Sequence, residues 1–384
     1  MSLTVGIIGL PQSGKTTLFN ALTSAGAQVS GYPTSTVQAN RAVVSVPDAR
    51  LTRLAEIYHP RKVTPTTVEF VDVAGIGQAT ESSHQEGLSA EFLGHIRNAD
   101  ALAVVVRCFA DAQFPVSAID PLRDLDELTA ELALTDLATV DKRFDSTQKK
   151  SKSGDKKILE ELEVLRGLRE HLNDGQPASH YPLSSQNEAT IRELFLLTMK
   201  PRMYVINVSE DVLAGAAELL EHADLTAAPA DGELAHVARV ASRAHAERAE
   251  SVAVSARLEA ELRDLAPADA DEYLATLGLP RLGADRVIQV GYRALSLISF
   301  LTAGEDEVRA WTVTLGAKAP TAAGKIHTDF EKGFIRAEVV SYADLMANDG
   351  LMKLAREHGK VRLEGREYVV RDGDIIEFRF APSH

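Results

Sequence analysis

Five short apolar runs, rich in β-branched residues, are spaced along the first two thirds of the chain. They occupy residues 4–10, 68–73, 101–108, 202–208 and 252–256. Continuous apolar runs of this length are typical of strands that are buried on both faces of a parallel sheet. The first run is followed by an amphipathic helical segment that begins near Thr17. The pattern therefore predicts an α/β fold with a mostly parallel sheet.

The middle of the chain has the periodicity of two long helices. Apolar side chains recur every three or four residues at Leu125, Leu128, Leu132, Leu137, Val140 and Phe144, and again at Ile158, Leu162, Leu165, Leu168 and Leu172. This spacing predicts two helices that pack against each other. Residues 146–157 lie between them, with five lysines and one aspartate, and are expected to form a polar loop at the tip.

The last third of the chain changes to short strands and short helices. Residues 307–315, 334–340 and 368–380 have strand patterns, and the last of them is expected to fold into a hairpin about Asp372-Gly373-Asp374. A compact α+β module of about 85 residues is therefore predicted at this end.

Composition indicates a globular chain of two or three domains. Of the 384 residues, 45% are hydrophobic and 25% are charged, which excludes a disordered or fibrous protein. The formal charge of -14 disfavours binding of DNA or of an anionic membrane by the whole surface, although local basic patches remain. The single cysteine, Cys108, excludes an internal disulfide and is interpreted as a buried small hydrophobe. Without a signal sequence or a long apolar run, a cytoplasmic protein is expected.

Candidate chemistry begins directly after the first predicted strand. Residues 9–16 read G-L-P-Q-S-G-K-T, the full G-x-x-x-x-G-K-[ST] pattern of a P-loop. Glycines let consecutive backbone N–H groups turn towards a phosphate, and the helix N-terminus adds a favourable dipole. Lys15 places a charge on the outer phosphates, and the Thr16 hydroxyl can ligate Mg²⁺. The predicted phosphate site consists of Gln12, Ser13, Gly14, Lys15, Thr16 and Thr17.

A P-loop is shared by kinases, transport ATPases and switch GTPases, and two further segments separate these classes. Asp72 to Gly75 is a D-x-x-G sequence at the end of a predicted strand, where the carboxylate can hold Mg²⁺ through water and the glycine N–H can reach the γ-phosphate. Thr36 lies in a loop-like segment between the two motifs and can complete the Mg²⁺ shell in the triphosphate state. Two sensors of the γ-phosphate favour a switch NTPase over a kinase.

These motifs together resemble the Obg-like ATPase family, known in bacteria as YchF, of the translation-factor-related P-loop GTPases. The resemblance covers nearly the whole chain and rests on GLPQSGKTTLFNALT, VPDARLTRLAEI, PTTVEFVDVAG, VVRCF, INVSE, EVRAWTV and AAGKIHTDFEKGFIRAEVV. It implies a G-type nucleotide-binding domain at residues 1–128 and 200–277, an inserted α-helical coiled-coil hairpin at 129–199, and a C-terminal TGS domain of β-grasp form at 298–382. It also implies ATP as the preferred nucleotide, Mg²⁺ as cofactor, and a ribosome or ribosomal subunit as partner.

The base-recognition segment departs from that of guanine-specific enzymes. Those enzymes use N-K-x-D, in which the aspartate accepts from the ring N–H and the exocyclic amine of guanine. This chain has N-V-S-E, so Val208 replaces the lysine that stacks on the base, and Glu210 displaces the acceptor by one methylene. The N-V-S-E segment is therefore expected to select guanine only weakly over other bases, which favours ATP over GTP. The family resemblance implies a base pocket formed by Asn207, the Val208 backbone, Glu210, Ser255 and Ala256.

Hydrolysis needs charge neutralisation by Lys15 and Mg²⁺, and a group that orients the attacking water. Small GTPases place glutamine directly after D-x-x-G, whereas this chain has Ile76. Members of the resembling family use a histidine just before V-V-R-C-F, and Val104 stands there in this chain. His84, with Gln85 beside it, is a weak substitute, since a loop histidine is more often merely solvated. Together with Asp72 and Gly75, these residues predict an ATPase that is slow without a partner.

The ribosomal contact is expected at the lysine-rich tip and on the C-terminal module, where Arg336, Arg362, Arg366 and Arg371 can face RNA. A solvated helix-hairpin turn and solubilising arginines explain the same residues. Two alternatives to an ATP-preferring switch remain open. One is a GTP-specific ribosome-associated factor, and the other is an ATP-gated binding module with negligible hydrolysis.

Overall fold

The computed structural model describes residues 3–24, 28–29, 40–72, 90–110, 119–222, 225, 228–263 and 265–381. A seven-stranded sheet occupies the first part of the chain. Its strands are β1 (Thr4–Ile8), β2 (Gln28–Val29), β3 (Asn40–Ser45), β5 (Thr67–Asp72), β6 (Ala101–Arg107), β7 (Arg202–Asn207) and β8 (Glu250–Val254). They lie in the order β2-β3-β5-β1-β6-β7-β8.

Five adjacent strands, β5, β1, β6, β7 and β8, run parallel to one another, and β2 and β3 form an antiparallel edge. The predicted α/β class with a mostly parallel sheet is confirmed, and each of the five apolar runs supplies one parallel strand. Because parallel strands end at the same edge, the residues that follow β1, β5, β6, β7 and β8 come together there. Ligands of open α/β sheets bind at this carboxyl edge.

Helices cover both faces of this sheet, since its side chains alternate between two apolar cores. Ala103 and Val105 face one core, and Val104 and Val106 face the other. The first core is covered by α1 (Lys15–Ser24) and α11 (Gly283–Ala294). The second is covered by α3 (Ala90–Asn98), α7 (Glu210–His222), α8 (Glu233–Ala246) and α10 (Pro267–Thr276), while α9 (Ala256–Leu262) contributes to both.

Two long helices, α4 (Pro121–Lys150) and α5 (Lys156–Asn173), form an arm. The leucines at the start of α4 belong to the core of the first sheet, whereas Val140 and Phe144 pack against Leu165 and Leu168 of α5. The chain returns through α6 (Glu188–Arg192). In the described part of the chain, no helix combines the length and the apolar character needed to cross a membrane.

The tip of the arm is more helical than its composition suggests. The prediction of a polar loop over residues 146–157 is wrong for its first part, because α4 continues to Lys150. Thr147 is buried against α5 and donates to Glu161 Oε1 at 3.3 Å, so the helix interface extends one turn further. Asp155 then accepts from the N–H of Lys157 and caps α5.

A six-stranded sheet forms the C-terminal part of the molecule. Its own strands are β9 (Leu297–Ala303), β10 (Glu307–Thr314), β11 (Phe334–Ser341), β12 (Arg362–Glu364) and β13 (Asp374–Phe380). Four short helices accompany them: α12 (Ala319–Ile326), α13 (Thr328–Lys332), α14 (Tyr342–Met346) and α15 (Met352–Glu357). The predicted α+β character of this region is confirmed.

The hairpin predicted near the C-terminus does not form. β13 begins only at Asp374 and lies between β11 and β9, so both of its edges are occupied. The preceding residues pair elsewhere, with the N–H of Val370 donating to Ala317 O at 2.9 Å. The turn is closed by the N–H of Arg371, which donates to Asp374 Oδ2 at 2.9 Å. A strand in the centre of a sheet has no edge left for the segment just before it.

The second sheet also incorporates a segment from the first part of the chain. α2 (Ala49–Tyr58) and β4 (Lys62–Thr64) lie between β3 and β5 in sequence, yet β4 pairs in parallel with β10 as the last strand of that sheet. Leu51 and Leu54 of α2 are buried with side chains of β9, β10 and β13. Arg50 donates to Asp372 Oδ2 at 2.7 Å across the same contact. The domain boundaries expected from the sequence assign all of 1–128 to one domain, so they do not predict that α2 and β4 pack with the C-terminal sheet.

We expect Leu54→Ala to lower the free energy of unfolding by about 2–5 kcal/mol, because Leu54 is fully buried and its removal leaves a cavity. The cavity lies in a core shared by α2 and the second sheet, so hydrogen exchange should accelerate in β10 and α15 as well as in α2. Mass-spectrometric exchange and thermal unfolding measure both effects. Leu134→Ala, at a leucine that is 60% exposed, is the matched control. Faster exchange confined to α2 would contradict a shared core.

Candidate functional site

The loop after β1 has positive φ values at Gly9, Gln12 and Gly14, and two of these positions exclude a side chain. Gly9 and Gly14 have φ values of 152° and 94°, in the region that side chains disfavour. A Cβ on Gly9 would lie 2.5 Å from the carbonyl oxygen of Val105, and one on Gly14 would collide with the side chain of Asn207. The loop therefore lies against the ends of β6 and β7. α1 begins within it, with the N–H of Leu18 bonded to Gly14 O.

Lys15 is held inside this loop. Its ammonium donates to the carbonyl oxygen of Leu10 at 2.6 Å, and its exposure is 7%. Burial lowers the pKa of Lys15 to about 8, although the carboxylate of Asp72 opposes the shift. A phosphate in the loop would add negative charge beside the ammonium. The structure thus places Lys15 within the loop, bonded to a backbone carbonyl and near the carboxylate of Asp72.

Asp72 lies at the end of β5 beside the start of α1. Its Oδ2 accepts from the Thr16 hydroxyl at 3.2 Å, whereas its Oδ1 is buried and finds no hydrogen-bond partner among the described residues. Burial raises the pKa of Asp72, against the opposing effects of Thr16 and Lys15. A carboxylate oxygen without a partner beside a threonine hydroxyl suits a hard cation with oxygen ligands. These two residues fit Mg²⁺. Ser13 Oγ is likewise buried without a hydrogen-bond partner among the described residues.

The second half of the site is the turn of residues 207–210, which we call the recognition turn. Asn207 is 3% exposed, and its amide joins two elements. Nδ2 donates to Ser13 O at 2.9 Å, and Oδ1 accepts from the N–H of Ala256 at 3.0 Å. The Asn207 side chain, expected to form part of the base pocket, thus braces the phosphate loop against α9.

Each further residue of the recognition turn is held by a different element. The N–H of Val208 donates to Val254 O at 2.9 Å, so it is not available to a base. Both the N–H and the hydroxyl of Ser209 donate to Glu233 of α8, at 2.9 and 2.8 Å. The carboxylate of Glu210 accepts from the phenol of Tyr273 on α10. The turn is therefore fixed before any ligand arrives.

A cleft of about 540 Å³ lies between the recognition turn and the phosphate loop. This volume suits a small organic ligand such as a nucleoside. The cleft is lined by Gly14, Thr17, Phe109, Ala110, Asn207, Val208, Ser209, Glu210, Asp211, Ser255, Ala256, Arg257 and Leu258. All five residues expected to form the base pocket are among them.

Sequence reasoning missed Phe109 at this cleft. Its ring lies 4.9 Å from the guanidinium carbon of Arg107, whose Nε donates to Phe109 O at 3.1 Å. An aromatic residue just beyond the end of β6 was a usable signal, because the carboxyl edge of the sheet is where the ligand binds. Cys108, between them, is fully buried, as expected of a small hydrophobe.

The far wall of the cleft is fixed by a buried carboxylate. Glu259 of α9 accepts from the N–H groups of Gly283 and Ala284, at 2.6 and 3.1 Å. These groups lie at the N-terminus of α11, where negative charge is favoured. The bonds hold α9, and with it Ser255 and Ala256, in place against the rest of the domain.

Several residues of the sequence predictions lie outside the described part of the chain. They are the expected metal ligand Thr36, the expected catalytic residues Gly75 and His84 with Gln85 beside it, and Ile76, which replaces the water-orienting glutamine. Val104 is described, and it is 5% exposed in the apolar core beneath the loop. A valine there can neither donate nor accept a hydrogen bond to water.

The loop and the cleft meet at the carboxyl edge of a parallel sheet, with Lys15 and Asp72 at the loop and Phe109, Val208 and Leu258 among the residues that line the cleft. Because this arrangement is shared by proteins that bind nucleotides through a P-loop, the chain falls in that class.

Comparisons with known proteins narrow the class. The family described as "50S ribosome-binding GTPase" matches residues 4–150, and the YchF GTPase C-terminal family, described as a protein of unknown function, matches residues 297–381. Over 382 residues the chain is 45% identical to "Ribosome-binding ATPase YchF" of Bacillus subtilis and 43% identical to that of Escherichia coli O157:H7, covering 99% of this chain and 100% and 99% of those proteins. The solved YchF GTPase of Schizosaccharomyces pombe superposes with a TM-score of 0.79 at 32% identity and 98% coverage of both chains. The chain belongs to the YchF family.

The lowered pKa of Lys15 predicts that nucleotide binding takes up a proton above pH 8. In the chain without nucleotide, the pKa of Lys15 is about 8. A bound triphosphate raises this pKa, so the charged form is favoured in the complex. Affinity should therefore fall as the pH rises from 8 to 10, by up to about tenfold per pH unit. Calorimetry in two buffers of different ionisation enthalpy measures the uptake, with pH 7 as the control. An affinity that is flat over this range would contradict the assignment of Lys15 to the phosphates.

Proposed function

We propose that this chain is a Mg²⁺-dependent P-loop nucleoside triphosphatase that prefers ATP to GTP and acts as a nucleotide-controlled switch on ribosomes. The observation that carries the proposal is the joining of the phosphate loop and the recognition turn around one cleft by the amide of Asn207. The relatives at 45% and 43% identity are named ribosome-binding ATPases. Ribosome binding would place the chain in the cytoplasm.

The preference for ATP rests on the chemistry of the recognition turn. Guanine presents a ring N–H and an exocyclic amine on one edge, and both need an acceptor. Val208 is apolar and buried, and the Glu210 carboxylate already accepts from Tyr273. Adenine needs fewer hydrogen-bond acceptors on that edge, since only its amine donates there. Contact with apolar side chains such as Phe109 and Leu258 would stabilise the bound ring.

The phosphate end supplies the groups for hydrolysis. We assign Lys15 to the outer phosphates, Gln12 to Thr17 to the loop that surrounds them, and Thr16 and Asp72 to Mg²⁺, with Asp72 acting through water. Bound Mg²⁺ would neutralise charge that develops on the phosphate oxygens. Thr36, Gly75 and His84 stay predictions as the remaining phosphate, metal and water contacts. Slow turnover follows from Val104, which leaves water to be oriented by another group or by the partner.

A second candidate function is a binding module that ATP controls without appreciable hydrolysis. The observation that favours it is the same Val104, a buried apolar side chain where the family uses a histidine. The two candidates share the nucleotide site and differ only in phosphate release.

The arm tip is the stronger of the two proposed ribosomal contacts. The lysines at positions 149, 150, 152, 156 and 157 are all exposed there, at the end of two rigid helices in an acidic protein. On the second sheet, Arg366 donates to Phe334 O and Arg362 to the Tyr368 hydroxyl, so part of their donor capacity is used internally. Arg336 is exposed. RNA phosphates would attract the tip in a salt-dependent manner.

The domain division follows the same proposal. We assign residues 1–128 and 200–277 to the nucleotide-binding domain, 129–199 to the arm and 298–382 to the TGS domain. Residues 49–64 lie within the nucleotide-binding domain in sequence, but they pack with the sheet of the TGS domain.

We expect phosphate release from MgATP to be slow for the chain alone and to rise at least about tenfold with ribosomes. Lys15→Ala should abolish release in both conditions while the protein stays folded.

The triple change Lys149→Ala, Lys152→Ala and Lys157→Ala should weaken ribosome binding and lower the slope of log affinity against log salt by about 2 to 3. Malachite-green assays and ribosome sedimentation across salt concentrations measure these effects.

The matched control removes three positive charges from the arm away from its tip, by Lys142→Ala, Arg166→Ala and Arg192→Ala. All three residues are exposed, and the ion pairs of Arg166 and Arg192 lie within one helix each. Equal loss of binding in both triple variants would contradict contact through the tip. Tight ATP binding with no release, with or without ribosomes, would favour the binding module.

A further inference from the structure

Tyr273 contacts the recognition turn from an element that no nucleotide motif includes. It lies on α10, more than sixty residues after Glu210 in sequence, and its phenol donates to Glu210 Oε1. Glu210 is the residue at the position where guanine-specific enzymes have the aspartate that binds the guanine edge. The pair therefore bears directly on which base the cleft accepts.

The position of Tyr273 is set by the packing of its helix. α10 has Pro267 at its N-terminus, which suits the first turn. Ala270 and Leu274 on the same helix are 8% and 2% exposed and belong to the core of the first sheet. Tyr273, next to Leu274, is 40% exposed and extends from the anchored helix to Glu210. The phenol is thus presented by a fixed scaffold.

The carboxylate of Glu210 is correspondingly restrained. It follows Ser209, whose N–H and hydroxyl are both bonded to Glu233, so the backbone that carries it is held as well. A guanine in the cleft would need both oxygens of this carboxylate, one for the ring N–H and one for the amine. Oε1 is directed to Tyr273, which does not line the cleft, so the carboxylate is held turned away from the position in which both oxygens would face a guanine edge, and an unpaired guanine donor reduces affinity. Adenine has no ring N–H on that edge and loses nothing.

We infer that Tyr273 is a specificity-determining positioning residue, which keeps the Glu210 carboxylate from pairing with guanine and so favours adenine nucleotides. The inference rests on the proposed ATP preference and adds the group that enforces it. Glu210 faces the base, and Tyr273 acts through Glu210. Removing the phenol should therefore change the ratio of nucleotide affinities and leave adenine binding as it was.

The test is a comparison of ATP and GTP dissociation constants for the full chain and Tyr273→Phe, measured by calorimetry with Mg²⁺. We expect Tyr273→Phe to strengthen GTP binding about tenfold, because the carboxylate can then turn both oxygens towards the guanine edge, and to change ATP binding by less than about twofold. In the background of Glu210→Ala, Tyr273→Phe should have no effect on either nucleotide, since no carboxylate is left to release.

Tyr368→Phe is the matched control. It removes an equivalent phenol-to-carboxylate bond, from Tyr368 to Asp374 Oδ2 at 2.6 Å in the second sheet, and should leave both constants unchanged. Thermal unfolding of each variant checks that the fold is retained.

Failure of this inference can be distinguished from failure of the proposed function. If the unaltered chain prefers ATP and Tyr273→Phe leaves the ratio unchanged, Tyr273 does not determine specificity, although the ATP preference stands. Equal strengthening of ATP and GTP binding would also overturn the inference, since it would show a steric barrier. If the unaltered chain prefers GTP, both the ATP preference and the role of Tyr273 are wrong.

Discussion

The side-chain amide of Asn207 connects the two halves of the nucleotide site. It donates to the backbone of the phosphate loop and accepts from the first residue of α9, and it is almost completely buried. Each such hydrogen bond contributes about 1 kcal/mol, but a buried partner left unpaired costs more, so the amide is difficult to replace. The contact also explains why residue 14 is glycine, since a side chain there would occupy the space of the amide. The separation between the phosphates and the base is thereby determined before a ligand binds.

A second constraint ties this site to the C-terminal sheet. The segment of α2 and β4 lies between β3 and β5, and β5 ends at the carboxylate of Asp72. Because this segment completes both the core and the edge of the second sheet, β5 is connected covalently to an element that packs in the C-terminal region. The arm has its own contact with the first sheet, where Arg97 of α3 donates to Thr139 of α4 at 3.0 Å. The second sheet is thus connected to a strand of the first sheet, and the arm to a helix that covers it.

Local patterns predicted the parallel strands and the phosphate loop, because burial on both faces and the geometry of a phosphate cradle leave clear signatures in sequence. They did not predict where α2 packs, since an amphipathic helix does not specify which of two apolar surfaces covers it. The continuation of α4 to Lys150 was missed because lysine and glutamine are compatible with both a helix and a loop, and the buried contact of Thr147 decided between them. Phe109 could have been predicted from its place just beyond β6, whereas Tyr273 contacts Glu210 only through the packing of α10, for which a single sequence carries little signal. The roles of Thr36, Gly75 and His84 stay predictions.

The central claim is that one nucleoside triphosphate spans the phosphate loop and the recognition turn. The most direct measurement is a crystal structure of the full chain with Mg²⁺ and a non-hydrolysable ATP analogue. We expect the Lys15 ammonium to leave Leu10 O for the outer phosphates, the metal to lie beside Thr16 and Asp72, and adenine to occupy the cleft beside residues 207–210. An analogue bound with its base outside that cleft, or with Lys15 still bonded to Leu10, would contradict it.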